Sequence, residues 1–332
     1  MACTVVAACG TQEGSDTSSP PTVREANFPV TIDHKYGQTE ITQAPERVLT
    51  VGLSDHDYVL ALGVKPVGVA EWYGEYPSAT WPWAQDELGD AEPEVIGDAA
   101  ELNYEKVAAA RPDVIIGLYS GLTEEQYETL SRIAPTVAQD GRFVDYGMPW
   151  EEMSFTIGRI LGQEDRAKQL VTQIETRLAE AAGQHPEFAG MSAVVAYPST
   201  EGKYGIYSPE DSRSRFLTAL GFTIPAEIAQ LTGDEFYAEI SAEQIRLLDH
   251  NVLVWYAGGG LGPDLRADLA SNQLYQELGV TKRGGDLVMD ELSGDALSWT
   301  SLLSLPLAID RLVPQLAAVA DGDPTTQPIP IS

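Results

Sequence analysis

Aromatic residues and arginines recur in this sequence at the ends of predicted strands and in the loops that follow them. Aromatic faces can cover a large organic ligand, and a guanidinium can donate hydrogen bonds to oxygens that carry charge. Core packing or a surface ion pair explains any single member, but the concentration at loop positions in both halves of the chain favours a ligand site. The set comprises Trp72, Tyr73, Tyr119, Arg142, Arg213, Arg215, Phe236, Tyr237, Trp255, Tyr256 and Trp299.

The residues that usually perform catalysis do not form a recognisable constellation. Four histidines (His34, His56, His185 and His250) are scattered without the spacing of a metal site. Only His56 lies in a cluster, between Asp55 and Asp57, and we interpret it as the polar start of a helix. Ser54 follows Gly52 but lacks the second glycine of a nucleophile elbow. An α/β metal-dependent enzyme that uses His56 and the neighbouring acids is the distant alternative.

A strand, helix and strand with short connections over residues 47–70 predict a βαβ unit and therefore a parallel sheet. A hairpin over 28–42 precedes this unit, and further short apolar strands are predicted up to residue 138. The pattern restarts at 192. The sequence thus predicts an α/β fold with two Rossmann-like lobes. Residues 297–300 are predicted as a loop.

Between the two halves, apolar residues recur with a period of about 3.6 residues, which is typical of helices packed on one face. We predict a short helix to about Leu161 and a longer one from about Gln163 to Ala182, separated by Gly162. A helix of that length spans roughly 30 Å and can set the separation of two lobes. The predicted divisions are a truncated lipoprotein signal and flexible tether (1–26), the first lobe (27–149), the connecting helix (150–184), the second lobe (185–322) and a loose tail (323–332).

One pattern occurs in both halves. Residues 103–116 and 241–254 each contain a capping residue, a glutamate two positions later, a short helix and a buried strand. The glutamates are Glu105 and Glu243. Either the two lobes are related by pseudo-symmetry, or two common α/β units coincide.

The segment from 71 to 93 is predicted as a long loop with five large aromatics (Trp72, Tyr73, Tyr76, Trp81 and Trp83). Two explanations remain open. The loop can fold back over the core, or it can line a binding surface, since structureless loops this long are often functional.

Composition excludes several classes of function. Fifty acids against 20 bases give the 332-residue chain a formal charge of −30, which argues against binding to nucleic acid or to anionic lipid through charge. Hydrophobic residues make up 43% of the chain, enough for a core in each lobe. Both cysteines, Cys3 and Cys9, lie in the first nine residues, so the folded body has no thiol chemistry.

The first residues predict a lipid anchor. Small residues precede Cys9 and a polar Ser/Thr/Pro-rich segment follows it, which resembles the end of a bacterial lipoprotein signal in which Cys9 carries the lipid. A basic region and sufficient apolar length do not precede Cys9, so we expect the signal to be truncated. No later run reaches the ~20 apolar residues of a membrane span, and attachment would be through the anchor only.

Four segments resemble those of the iron-siderophore substrate-binding proteins of ABC importers: PERVLTV at 45–51, LGVKPVGV at 62–69, PDVII at 112–116 and IAPTV at 133–137. Within that cluster, WPW at 81–83 and ALSWT at 296–300 are similar to actinobacterial ferric-siderophore binding lipoproteins. The resemblance extends from about residue 28 to 322.

The resemblance implies two lobes, a rigid helical backbone and a shallow cleft that shifts little on binding. It implies that Glu105 and Glu243 dock onto arginines of the permease. In the hydroxamate binders of the family, an arginine and a tyrosine of the first lobe contact the iron-bound oxygens. The tyrosine matches near Tyr119, whereas the arginine position falls on Ala99, which leaves Arg142, Arg213 or Arg215 to substitute.

The sequence therefore predicts a monomeric, non-enzymatic receptor on the outer face of the cell membrane. It would capture a ferric siderophore and deliver it to an ABC permease. The ligand's own groups would hold the iron, so no further cofactor is expected. Haem or a corrinoid is the alternative ligand within the same fold.

Overall fold

The computed structural model describes residues 1, 28–98, 101–199, 202–256, 258 and 265–326. A hairpin comes first and consists of β1 (Val30–His34) and β2 (Gly37–Ile41), paired antiparallel as the sequence predicts. Its inner face is buried against the first lobe, where the Thr39 hydroxyl donates to the Thr136 carbonyl at 2.6 Å.

Five parallel strands form the sheet of the first lobe: β3 (Val48–Thr50), β4 (Gly68–Glu71), β5 (Glu94–Asp98), β6 (Val114–Gly117) and β7 (Thr136–Ala138). Their spatial order is β5–β4–β3–β6–β7. Strands β3, β6 and β7 are buried throughout, as expected for parallel strands covered on both faces.

Helices connect these strands: α1 (Asp55–Ala61), α2 (Gln85–Leu88), α3 (Tyr104–Ala109) and α4 (Glu124–Ser131). The caps predicted for the last two are confirmed. Asn103 accepts from the Lys106 amide, and Thr123 forms a capping box with Gln126. The segment predicted as a loop from 71 to 93 contains α2 and two 3₁₀ turns, each begun by a proline: Pro77–Ala79 and Pro82–Ala84.

The connector consists of α5 (Trp150–Ile160) and α6 (Glu164–Gln184). Gly162 separates them with a φ of 68°, a conformation that favours glycine. A Cβ on Gly158 would lie 2.7 Å from the Ala167 Cβ, so glycine also allows the two helices to approach closely. Helix α5 contacts α1 and β1 of the first lobe, whereas α6 contacts two helices of the second lobe, Ser212–Ala219 and Ser304–Ala320.

The strands of the second lobe are β8 (Ala193–Pro198), β9 (Lys203–Tyr207), β10 (Tyr237–Ser241), β11 (Val252–Trp255) and β12 (Asp286–Val288). Their order, β10–β9–β8–β11–β12, is that of the first lobe strand for strand. The difference lies in β9, which is antiparallel to both of its neighbours. The two-lobed α/β fold predicted from the sequence is confirmed.

Helices of the second lobe cover its sheet: a 3₁₀ turn Pro186–Phe188, α7 (Ser212–Ala219), α8 (Ala226–Thr232), the 3₁₀ helix Ala242–Leu248, α9 (Leu265–Ser271), α10 (Gln273–Gln276), α11 (Gly279–Lys282), α12 (Glu291–Trp299) and α13 (Ser304–Ala320). The predicted loop at 297–300 is wrong, because Leu297 to Trp299 end α12. Asp290 caps this helix by accepting from the Ser293 amide.

The lobes share a core. One continuous cluster of buried apolar side chains includes residues of both sheets, the connector and α13. Among the described residues, none of the helices is both long enough and apolar enough to cross a membrane.

Candidate functional site

The strand order reverses at one point in each sheet, and these two points define the candidate cleft between the lobes. In the first lobe this point is between β3 and β6, and in the second between β8 and β11. Ligands of open α/β sheets bind beyond the carboxyl ends of such strands. The buried Asp55 carboxylate fixes the loop after β6 by accepting from the amides of Leu118 (2.7 Å) and Tyr119 (3.1 Å). These bonds hold Tyr119 beside the point where the strand order of the first lobe reverses.

Trp72 is the centre of the first lobe's aromatic wall. Its ring centroid lies 5.0 Å from Tyr73, 6.3 Å from Tyr119 and 4.8 Å from Trp299. Trp81 lies behind them, buried, 4.7 Å from Trp299. Of the two explanations left open for the segment at 71–93, packing in the core holds for Trp81. That Trp72 and Tyr73 line a binding surface stays a prediction.

Aromatic side chains make contacts between the lobes on two sides of the candidate cleft. The Tyr73 hydroxyl donates to Asp295 Oδ1 at 2.7 Å and lies 3.1 Å from the Tyr256 hydroxyl. On the opposite side, the rings of Tyr146 and Phe236 lie 5.7 Å apart. Burial, Tyr256 and Asp295 raise the pKa of Tyr73, so its phenol stays protonated as a donor.

Together these residues form a closed series of contacts around the cleft, which we call the aromatic circuit. Each member contacts the next by its ring or, between the last tyrosine and Tyr73, by hydroxyl to hydroxyl. The members are Trp72, Tyr119, Tyr146, Phe236, Tyr237, Tyr197, Tyr207, Tyr256 and Tyr73.

Arg213 lies against the circuit from the second lobe. Its guanidinium carbon is 4.3 Å from the ring centroid of Tyr207 and 5.0 Å from that of Tyr256. Burial raises the pKa of Tyr119 to about 12, and the nearby Arg213 charge opposes that shift, so Arg213 acts on the first lobe as well. The side chain is only 4% exposed, and its Nε has no hydrogen-bond partner among the described residues.

A buried carboxylate balances this arginine. Arg213 Nη1 donates to Asp211 at 3.2 Å (Oδ1) and 3.0 Å (Oδ2), and Asp211 also caps α7 through the Arg213 amide. The guanidinium is thus held in one orientation, with Nε buried and unpaired. A fixed, buried donor of this kind is suited to a ligand oxygen.

The other two predicted arginines differ from Arg213. Arg215 donates from Nη1 to the Gly147 carbonyl at 2.6 Å, a contact between lobes, and pairs with Glu210. Arg142 is exposed and pairs with Asp140 (2.8 Å) and Glu152 (3.1 Å). These partners lie outside the aromatic circuit, so the structure does not bring Arg142 to the cleft.

Trp255, like Arg142, is a residue of the predicted set that the structure places away from the aromatic circuit. It is completely buried in the second lobe, with its ring 5.3 Å from Tyr204 and 5.9 Å from Tyr275. Side chains alternate along a strand, so Trp255 at the end of β11 points away from its neighbour Tyr256. Trp299, by contrast, lies beside Trp72, and Tyr237 is a member of the circuit.

Sequence reasoning missed Tyr146, Tyr197, Tyr207, Asp211 and Asp295. Tyr207 ends β9, and Tyr197 comes near the end of β8, positions whose strand ends were visible in the sequence. Asp211 had a local signal, since it directly precedes α7 and aspartate is a favoured N-cap residue. The role of Asp295 had none, because it depends on the contact with Tyr73 that the fold creates.

A polar node joins the lobes behind the aromatic wall. The Tyr58 hydroxyl donates to the Thr300 carbonyl at 2.8 Å. Asp57 Oδ2 accepts from Trp83 Nε1 at 2.8 Å and from the Ser301 hydroxyl at 2.5 Å. His56, whose Nε2 is 3.7 Å from Asp57 Oδ1, is buried too. This cluster connects α1 to the chain between α12 and α13. Its side chains are buried and therefore inaccessible to a substrate, which argues against the enzyme alternative.

Asp57→Asn is expected to stabilise the protein more at pH 8 than at pH 5. Burial raises the pKa of Asp57 to about 7, so the folded protein binds an extra proton, and the stabilising contribution falls as pH rises from about 4 to about 7. Asn keeps an acceptor for Trp83 and Ser301 without the charge. The gain in free energy of unfolding should be larger at pH 8 by on the order of 2 kcal/mol, measured by urea unfolding.

The control for this variant is Asp90→Asn, at an exposed position of the same lobe. Its effect should be equal at the two pH values. An equal effect of Asp57→Asn at both would contradict the assignment of a protonated buried carboxyl.

Comparison with known proteins agrees with this geometry. The model of a family described as periplasmic binding protein matches residues 48–284. A periplasmic solute binding protein of Mycobacterium smegmatis is 30% identical, with a TM-score of 0.78 over 88% of this chain and 99% of the other. PiaA of Streptococcus pneumoniae, crystallised in complex with ferrichrome, is 28% identical, with a TM-score of 0.75 over 88% and 99%. A probable siderophore-binding lipoprotein of Bacillus subtilis is 28% identical over 77% of this chain and 76% of its own.

Proposed function

This chain belongs to the periplasmic binding protein family, and we propose that it captures a ferric siderophore in the interlobe cleft and delivers it to an ABC permease. The observation that carries the proposal is the aromatic circuit with the buried, half-satisfied Arg213 against it. Rings suit the organic scaffold of a chelate, and the free Nε suits an oxygen of the chelating groups. The ligand's own groups saturate the iron, so the protein need only recognise the outside of the complex.

We also propose that the protein is not an enzyme. The relatives of this chain are named as binding proteins, and the buried His56 node supports structure between the lobes. Within the described ranges, His, Cys, Asp and Glu side chains do not gather in groups of three or more that could hold a metal ion.

The contacts between lobes favour a receptor that closes little. The hydrogen bonds of Tyr58 with Thr300 and of Ser301 with Asp57 fix α1 relative to the start of α13. Buried hydrogen bonds are costly to break without replacement. A wide hinge motion would have to break both.

We place the receptor outside the cytoplasm, attached through a lipid on Cys9 and acting as a monomer. Cys9 lies outside the described residues, so this part of the proposal rests on the sequence. Glu105 and Glu243 are proposed as the two contacts with the permease. Both are exposed, and each lies in the first turn of the element that follows the edge strand of its sheet.

Fluorescence quenching tests the ligand. Four of the six tryptophans lie in or behind the circuit (Trp72, Trp81, Trp83 and Trp299), so a coloured ferric siderophore should quench them with a saturable, sub-micromolar titration. Trp72→Phe should reduce the amplitude, whereas Trp255→Phe, remote in the second lobe's core, should preserve the ligand-dependent part.

Parallel titrations with haem and cobalamin distinguish the alternative ligands of the same fold. Saturable quenching by either one, and by no ferric siderophore, would contradict the proposal and assign the cleft to a tetrapyrrole.

A further inference from the structure

We propose that the cleft selects ferric complexes of zero or positive net charge, such as tris-hydroxamates, against polyanionic complexes such as tris-catecholates. This inference rests on the proposed function and adds the charge class of the ligand. Iron(III) bound by three singly charged hydroxamates is neutral, and a pendant ammonium makes the complex cationic. The same ion bound by three doubly charged catecholates is triply negative.

The first observation is that the positive charges at the cleft are already matched. Arg213, the buried base beside the circuit, pairs with the equally buried Asp211. Arg215 pairs with Glu210, and Lys35, on the side of Tyr146, pairs with Asp145 at 2.6 Å. These bases can still donate hydrogen bonds, but they offer little net positive potential to an anion.

The second observation is a carboxylate in the wall itself. Asp295 is buried on α12, accepts from the Tyr73 hydroxyl at 2.7 Å, and its negative charge raises the pKa of Tyr73 and contributes to that of Tyr76. Glu291, one turn earlier, acts on Tyr76 in the same sense. The negative charge therefore acts on two phenols of the aromatic segment, of which Tyr73 belongs to the circuit.

The third observation is the whole-chain charge of −30, which adds a long-range repulsion for anions and an attraction for cations at low salt. Aromatic faces reinforce the choice, because they attract cations and cover neutral organic surface. A charge at roughly 10 Å from Asp295 changes affinity by on the order of tenfold per unit at an effective dielectric of about 20.

Quenching titrations with ferrioxamine B (cationic), ferrichrome (neutral) and ferric enterobactin (triply negative) test this inference at low and high salt. The wild-type protein should bind the first two at least about 100-fold more tightly than the third, and the gap should narrow with salt. Asp295→Asn keeps an oxygen acceptor for Tyr73 and removes the charge. This variant should lower the ratio of the affinity for ferrioxamine B to the affinity for ferric enterobactin by at least about tenfold.

Wild-type affinity for ferric enterobactin equal to or above that for the other two would overturn the charge inference while leaving the siderophore function intact. An unchanged ratio in a folded Asp295→Asn protein would also overturn it. Quenching by none of the three complexes would instead overturn the proposed function, and this inference with it.

Discussion

Replacing Arg213 with methionine is expected to lower the free energy of unfolding by about 3–5 kcal/mol. The change leaves the Asp211 carboxylate buried without its partner, and it removes the cation from the rings of Tyr207 and Tyr256. A buried, uncompensated charge costs far more than the ion pair contributed, because neither water nor a counter-charge replaces the lost partner. Urea unfolding followed by circular dichroism measures the difference.

A double variant separates stability from ligand recognition. Asp211→Asn combined with Arg213→Met removes both charges, and Asn can still cap α7. Stability should return to within about 1–2 kcal/mol of the wild type. Affinity for the ferric siderophore should remain reduced by at least about tenfold, since the donor to the ligand is still missing.

Arg142→Met is the matched control, because its side chain and that of its partner Glu152 are both exposed, so the loss of this pair should change the free energy of unfolding little. A stable double variant with wild-type affinity would show that Arg213 only supports the fold. Wild-type stability of the single variant would contradict the buried pair itself.

The connector could be predicted because its chemistry is local. Positions such as Met153, Ile157, Ile160, Val171 and Ile174 are all buried, as their spacing of three or four residues requires. Each helix shows its inner face in its own sequence, and the glycine between them marks the break. Periodicity does not show that the absence of a side chain at Gly158 allows Ala167 of α6 to approach α5 closely.

Helix α12 could not be found in this way. Ser293, Asp295 and Ser298 are buried although they are polar, so the inner face of the helix does not read as apolar. Two of them also bond to distant residues: Asp295 accepts from Tyr73, 222 residues away, and Ser293 accepts from Arg311 of α13. Buried polar groups are stable only with such partners, and only the folded chain supplies them.

The cleft follows the same rule. Trp72, Tyr119 and Arg213 could be named from residue type and strand ends, because those features are local. Which aromatic faces the cleft is decided by strand alternation at single-residue precision, and Trp255 was misplaced for that reason. The pairing of Arg213 with Asp211 balances the arginine's charge, and this pairing depends on the turn that caps α7.

Replacing both Glu105 and Glu243 with lysine is expected to reduce transport by at least about tenfold without changing the affinity for the ligand. Two like charges brought together at an interface cost several kcal/mol, and here each lysine would face an arginine of the proposed permease. Both side chains are exposed and neither belongs to the aromatic circuit, so the cleft should be unaffected. Uptake of the ferric siderophore by cells that depend on the variant measures transport, and quenching measures affinity.

The fold supports treating these two residues as a pair. Strand β5 leads through α3 to β6, and β10 leads through the 3₁₀ helix Ala242–Leu248 to β11. Each path runs from the edge strand to the fourth strand of its sheet, so the two glutamates hold equivalent places in their lobes. The repeat found in the sequence therefore corresponds to a repeat in topology.

The control is the double variant Glu40→Lys and Glu180→Lys, which makes the same change in net charge at exposed positions on β2 and α6. It should transport normally, because these two positions lie outside the proposed docking surface and a change in net charge alone should not prevent docking. Each single reversal at Glu105 or Glu243 should give a partial loss, and the two losses should combine multiplicatively if the lobes dock independently. Equal loss in the control variant would mean that overall charge governs docking, and a fall in ligand affinity would mean that Glu105 and Glu243 support the fold instead.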